Sequence, residues 1–226
     1  MKAYDSAKPL LSLHVPKCAG QSFRRVLESW FGDKFFCHYF QQHRLPPPRH
    51  RLEPGICIHG HFNHMRGFGV SDYYPEADQF ITVVRDPLDA AVSNYFFWKV
   101  KAREIQLKNG IIKAGGEHDY RDINDFFRKR PKSNMLDFLP ASLTSANYLA
   151  ILAASFVWIG TAERLQESVD RLAETLAFPK VQVERMNASP RDEELSPALQ
   201  KTFRCANALE FAIYHAAVQQ IMNPRN

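Results

Sequence analysis

Four short apolar runs punctuate the chain: Leu10–Val15, Ile56–His59, Phe80–Val84 and Phe156–Ile159. Each has the length of a strand covered on both faces. Val181–Met186 is a weaker fifth. Between them the apolar period changes from continuous to helical. Phe23, Val26, Leu27, Trp30 and Phe31 fall at i, i+3, i+4, i+7 and i+8, which predicts an amphipathic helix with Ser22 as its N-cap. Asp86 and Pro87 suit the cap and first position of a second helix, whose face is Leu88, Val92, Tyr95 and Phe96. Leu165, Val169, Leu172 and Leu176 predict a third, stopped at Pro179. Ser196–Pro197 opens a last helix carrying Leu199, Phe203, Tyr214 and Val218. Strands alternating with helices predict an α/β fold with a mostly parallel sheet flanked by helices.

Length and composition keep that picture simple. A chain of 226 residues with 45% hydrophobic and 12% aromatic positions suits one folded domain, residues 1–226. The net charge of +5 suits an anionic ligand. No nucleic-acid motif accompanies it, so no nucleic-acid partner is expected. Cys18, Cys37, Cys57 and Cys205 are too widely spaced for a zinc site or a disulfide framework, and reduced thiols in a cytoplasmic protein are expected. The run Tyr148–Gly160 is too short to span a bilayer and reads as buried core, so no membrane insertion is expected. Arg44–Pro54, rich in proline and arginine, predicts an extended loop. Lys99–Lys132 is charge-dense and reads as an insertion beside the ligand cleft or as a solvated face.

Chemistry concentrates in three stretches. The first is HVPKCAGQSF, His14–Phe23, between the first strand and the first helix. A strand, a tight loop with lysine and glycine, and a helix start together make an anion cradle, with backbone N–H groups and the helix dipole favouring negative charge. The loop lacks the full G-x-x-x-x-G-K-[ST] pattern of nucleoside triphosphatases. The second stretch is Thr82–Tyr95. Arg85 sits at a strand end, where α/β sheets bind ligands, and Ser93 lies about two helical turns further on. Two anion sites on neighbouring strand ends suit a nucleotide with phosphate-type groups at both ends. The third is Ile58–His64, with His59, His61 and His64. A histidine titrates where a general base must. The rival metal reading lacks an Asp, Glu or Cys at ligand spacing, and no metal is expected.

The first two stretches resemble the nucleotide-binding motifs of sulfotransferases that use 3′-phosphoadenosine 5′-phosphosulfate, above all the carbohydrate, uronosyl 2-O-type enzymes, in a bacterial member. His14–Ser22 is similar to their 5′-phosphosulfate loop. Arg85-Asp86-Pro87 through Ser93 is similar to their 3′-phosphate motif, and Ile159–Arg164 to a stretch ending G-x-x-E-R. The resemblance implies a three-layer, P-loop-like fold and that cofactor, with no metal. It implies cofactor contacts from Lys17, Cys18, Ala19, Gly20, Gln21, Ser22, Arg85 and Ser93, with Lys17 also acting at the leaving group. It makes His61 the first choice as general base and His59 the second, one acting and one orienting. Cys18 and Gln21 replace the usual threonines. A hydroxyl acceptor follows, either a saccharide such as an oligosaccharide or glycolipid, or a small aromatic. Two rivals remain: a magnesium-dependent P-loop kinase or nucleotide hydrolase, and a non-catalytic nucleotide- or glycan-binding module.

Overall fold

The computed structural model describes residues 1–40, 45–109, 120–184 and 191–222, without the side chains of 101–109. Along the chain run β1 (Leu10–His14), α1 (Gly20–Phe31), β2 (Phe35–His38), β3 (Cys57–Gly60), α2 (Val70–Tyr73), β4 (Phe80–Val84), α3 (Pro87–Asn109) and α4 (Ile123–Lys129). Then come α5 (Tyr148–Ser155), β5 (Phe156–Thr161), α6 (Leu165–Leu176), α7 (Pro197–Ala206) and α8 (Ala208–Met222). The strands form one sheet in the order β2-β3-β1-β4-β5. Every pairing is parallel, with Leu11 opposite Ile58 on one side and Phe80 on the other.

The four predicted runs are β1, β3, β4 and β5, and all residues of β3, β4 and β5 are buried. Continuous burial is what a sheet covered on both faces demands. The α1 face packs on this core through Phe23 and Leu27, each 1% exposed or less. Burying one such side chain stabilises the fold by roughly 1.5–3 kcal/mol. A second cluster, including Leu88, Tyr95, Phe96, Phe127 and Phe203, joins α3, α4 and α7 beside the sheet.

Some expectations are corrected. The edge strand β2 has no alternating pattern to announce it, and three of its four residues are only half-buried. The weak strand at Val181–Met186 is not one over its described part, Val181–Glu184. That segment is pinned instead by side chains: Gln166 bonds both the Val181 carbonyl and the Val183 N–H, and Ser22 Oγ donates to the Glu184 carbonyl. Residues 185 and 186 lie outside the described residues, as do Arg44 and 110–119 of the charge-dense segment. Helix α1 begins at Gly20, so Ser22 is not its cap. Tyr148–Gly160 is half surface helix, with Leu149 59% exposed, and half β5. The last predicted helix is two, divided at Asn207, whose amide nitrogen donates to Phe203 O and Pro131 O. Among the described residues no helix is long and apolar enough to cross a membrane.

All five strands point the same way, so their C-terminal ends share one edge. Gly60 lets that edge close: a Cβ there would lie 1.9 Å from the His38 carbonyl oxygen. The obstacle is backbone and cannot swing aside. Gly60→Ala is expected to destabilise the protein by about 1–3 kcal/mol or more, read as a lowered urea midpoint at unchanged slope.

Candidate active site

Strand order sets the place. The chain leaves β1 toward β2 and β3, then crosses to β4 on the other side, so a crevice opens between the ends of β1 and β4. The loop after β1 and the turn after β4 flank it.

The loop is built by backbone conformation. Lys17 and Ala19 both have positive φ, 65° and 58°, bracketing Cys18. Successive turns of this kind aim neighbouring N–H groups at one point. Ala19 is the N-cap of α1, and no side chain caps that helix. Its first-turn N–H groups therefore face the loop uncompensated. Lys17 Nζ lies 4.0 Å over the Phe97 ring. Burial, and then the positive charge of Arg85, lower its pKa. Such a site favours an anion.

The cofactor-side residues divide by where their side chains go. Cys18 is 1% exposed and its Sγ lies 3.5 Å from the Pro16 carbonyl. Burial pushes that thiol's pKa up. Cys18 and Ser22 thus offer the loop main-chain donors, since the Ser22 hydroxyl donates to Glu184 O at 2.7 Å. Gln21 is exposed at the helix start. Gly20 is buried against the His14 ring.

Arg85 reaches back along α3 as its motif suggests. Its Nε donates to Asp89 Oδ2 at 2.6 Å, Nη2 pairs with the same oxygen, and Nη1 donates to the Lys17 carbonyl at 3.2 Å. Three of the five guanidinium N–H groups are so engaged and two are left. Asp86 Oδ1 caps α3, accepting from Leu88 N and Asp89 N. Glu163, of the G-x-x-E-R stretch, accepts the Asp86 N–H at 2.9 Å and fixes the same turn. Ser93 stands half-buried one turn after Asp89 and one before Phe97, on the helix face that meets Lys17.

Three imidazoles form a stack at the β1–β3 end. His14 lies between His59, 5.1 Å between centroids, and His61, 4.3 Å. His59 is fully buried, with Nδ1 on Ser12 Oγ at 2.8 Å and Nε2 enclosed without a partner. Burial lowers its pKa to about 3, assisted by the charges of His61 and Arg24. It is an interior group with no surface from which to meet an acceptor. His61 is half-buried, and its Nδ1 lies 2.8 Å from the His14 carbonyl. A carbonyl only accepts, so neutral His61 carries its proton on Nδ1 and leaves Nε2 a free base. Burial lowers its pKa. His64 bonds the Leu136 carbonyl instead. Among the described residues no group of three or more His, Cys, Asp or Glu is placed to hold a metal ion.

Sequence reasoning missed Asp89, Tyr39 and Arg191. Asp89 carried a local signal, an i, i+4 pair with Arg85. Arg191, whose Nη1 bonds Asp89 Oδ1 at 2.6 Å from 102 residues away, carried none. Tyr39, whose hydroxyl lies 2.7 Å from His14 Nδ1, follows the strand that was not predicted. A cleft of about 360 Å³ lined by Asp86, Asp89, Arg191 and Arg204 adjoins this group.

A parallel α/β sheet with a strand–loop–helix turn and an arginine turn at its switch point is the architecture of a P-loop-like fold. Residues 3–210 match the model of the sulfotransferase family, and the chain belongs to that family. Its reaction is thereby sulfuryl transfer. Among curated proteins no sequence match is found.

The buried histidines make stability depend on acid. His14, His38 and His59 are held neutral by burial, with pKa values well below 6.5, about 4 and about 3. Unfolded, each takes a proton near pH 6.5. Below that pH the unfolded state binds more protons, so stability falls as pH drops from 6.5 toward 4. The slope is about 1.4 kcal/mol per pH unit for each proton refused. Urea midpoints measured from pH 7.5 to 5 are expected to fall only below about 6.5. A flat profile would contradict the buried neutral histidines.

Proposed function

We propose that the chain moves the sulfuryl group of 3′-phosphoadenosine 5′-phosphosulfate to a hydroxyl of a saccharide, with His61 as general base. The observation that carries this reading is the hydrogen bond from Arg85 Nη1 to the Lys17 carbonyl. It brings the two stretches side by side, which supports reading them as one site for a nucleotide with two phosphate-type ends.

The residues fit such a cofactor. Loop N–H groups from Lys17 to Ser22 would hold the phosphosulfate end, with Lys17 the cation nearest the bond that breaks. Arg85, through its two remaining N–H groups, and Ser93 would hold the 3′-phosphate. When bound, the cofactor supplies an activated sulfuryl group and a leaving bisphosphate. Catalysis then rests on positioning and charge. His61 Nε2 accepts the acceptor's proton, and the Nδ1 bond to His14 O stabilises the imidazolium that forms.

An aromatic pair sits with Arg66, whose charge reaches His61. Phe40 is 39% exposed, its ring 4.9 Å from Phe68, with the Arg66 guanidinium 5.8 Å above it. Rings for a sugar face and a cation for an acidic substituent support a saccharide, free or lipid-linked.

Arg85→Ala is expected to weaken adenosine 3′,5′-bisphosphate about 10- to 100-fold, the cost of roughly 1.5–3 kcal/mol for a charged hydrogen-bond pair. ADP should weaken much less. Calorimetric titration of both ligands checks this, and an unchanged preference sinks the 3′-phosphate assignment.

His61→Ala should lower kcat about 10²- to 10⁴-fold while bisphosphate affinity holds. Because its pKa is depressed, the wild-type rate should hold as pH falls past 6.5, where an ordinary histidine base would fail, and drop at lower pH. A variant that keeps its turnover removes His61 from the mechanism.

A further inference from the structure

His14 opens the anion-loop stretch, yet the mechanism above uses only its backbone carbonyl. Its ring is held on several sides. One face stacks on His61 at 4.3 Å and the other on His59 at 5.1 Å. Nδ1 meets Tyr39 Oη at 2.7 Å. The Tyr39 ring also stands edge-on to His61 at 5.0 Å, so one tyrosine braces both histidines.

The other ring nitrogen faces the loop. His14 Nε2 packs against Gly20, the first residue of α1, so closely that a Cβ there would come within 1.7 Å. Any larger residue would drive the ring out of the loop. Nε2 has no hydrogen-bond partner among the described residues, and it is not sealed. The fully enclosed, unpartnered ring nitrogens are those of His38 and the Nε2 of His59. A ring nitrogen fixed in place, open, and beside the uncapped start of a helix meets whatever anion that helix attracts.

We propose that His14 is a further anion-binding residue of the transfer site: with the Tyr39 O–H donating to Nδ1, the ring takes the Nε2–H tautomer and presents that N–H to the anion in the loop. This rests on the reading of the loop as the donor site. The tyrosine oxygen could equally accept from an Nδ1–H, but that tautomer would turn an Nε2 lone pair toward the anion, so a bound anion selects the Nε2–H form. A protonated ring would also donate, but burial and the neighbouring His59, His61 and Arg24 charges keep the ring neutral. The donor anion and the base are then separated by one imidazole, which touches both.

Nitrogen-15 NMR of histidine-labelled protein reads the tautomer directly. The Nε2–H form is expected for His14, with its Nε2 signal moving when adenosine 3′,5′-bisphosphate is added. Tyr39→Phe should release the tautomer and lower kcat about tenfold, a modest share of the 10²–10³ measured for one oxyanion donor. His14→Ala should cost about 10- to 100-fold, while His14→Gln, whose amide N–H reaches the same place, should recover most of it. An Nδ1–H tautomer in the wild type, an Nε2 signal indifferent to bound bisphosphate, or equal losses in the Gln and Ala variants each overturn the assignment. Should His14→Ala fail to fold, Tyr39→Phe and the spectrum decide. Failure of the wild type to bind bisphosphate at all overturns the loop reading itself, and calorimetry separates that outcome from the others.

Discussion

The hydrogen bond from Arg85 to the Lys17 carbonyl ties the loop after β1 to the turn after β4. Both sit on strands that are hydrogen-bonded neighbours, with His14 in register with Val83. Parallel pairing delivers both strand ends to one edge, and the guanidinium spans what remains. Asp89 holds the arginine from behind, Glu163 holds the turn from β5, and Arg191 closes the group from a distant segment. Each partner is a carboxylate or cation that would be costly to bury alone. Together they orient one arginine toward a crevice whose other wall is an uncapped helix. The fold brings N–H groups and cationic side chains to that crevice together.

The second organising fact is a layer of neutral histidines under the same edge. His38 stacks on Phe62 at 4.2 Å, and the His59–His14–His61 stack runs beside it. In this layer imidazole acts mostly as a flat, weakly polar aromatic. Each ring raises the cost of protonating its neighbour, and burial adds to it. Only His61, at the open end, pairs a fixed tautomer with an accessible nitrogen suited to take a proton. The same interactions that favour a neutral base at neutral pH make the fold sensitive to acid.

Much of this was legible beforehand, for identifiable reasons. The runs at Leu10, Ile56, Phe80 and Phe156 announce themselves because strands buried on both faces must be apolar throughout. Asp86–Pro87 announces a helix because capping is local chemistry. The turn between β1 and α1 and the place of Arg85 at a strand end were legible because they depend on adjacent residues. Edge strand β2 was not, since FFCH packs on one side only and lacks a period. The fate of Ser22 was not either, because its hydroxyl answers to Glu184, 162 residues away. Spacing alone made His59 and His61 equivalent. What separates them is depth: α1 lies over His59 through Phe23 and leaves His61 at the rim.

The two departures from the family's loop pattern now carry different weight. Position 18 lies inside the core, so a thiol there loses no hydroxyl that the loop could use. Anion affinity in such a loop belongs to the main chain, and the main chain is unusual. Lys17 and Ala19 both hold positive φ without being glycine, at a cost of roughly 1–2 kcal/mol each. Two such residues within three positions persist only where the surroundings insist on them. Here the Lys17 carbonyl is held by Arg85, the Cys18 side chain is buried, and Gly20 is wedged on His14. The strain is thus maintained from three sides at once. Its effect is to turn neighbouring loop N–H groups together, in a segment bounded by Lys17, Arg85 and His14. A loop that needed only to connect β1 to α1 could relax all of it.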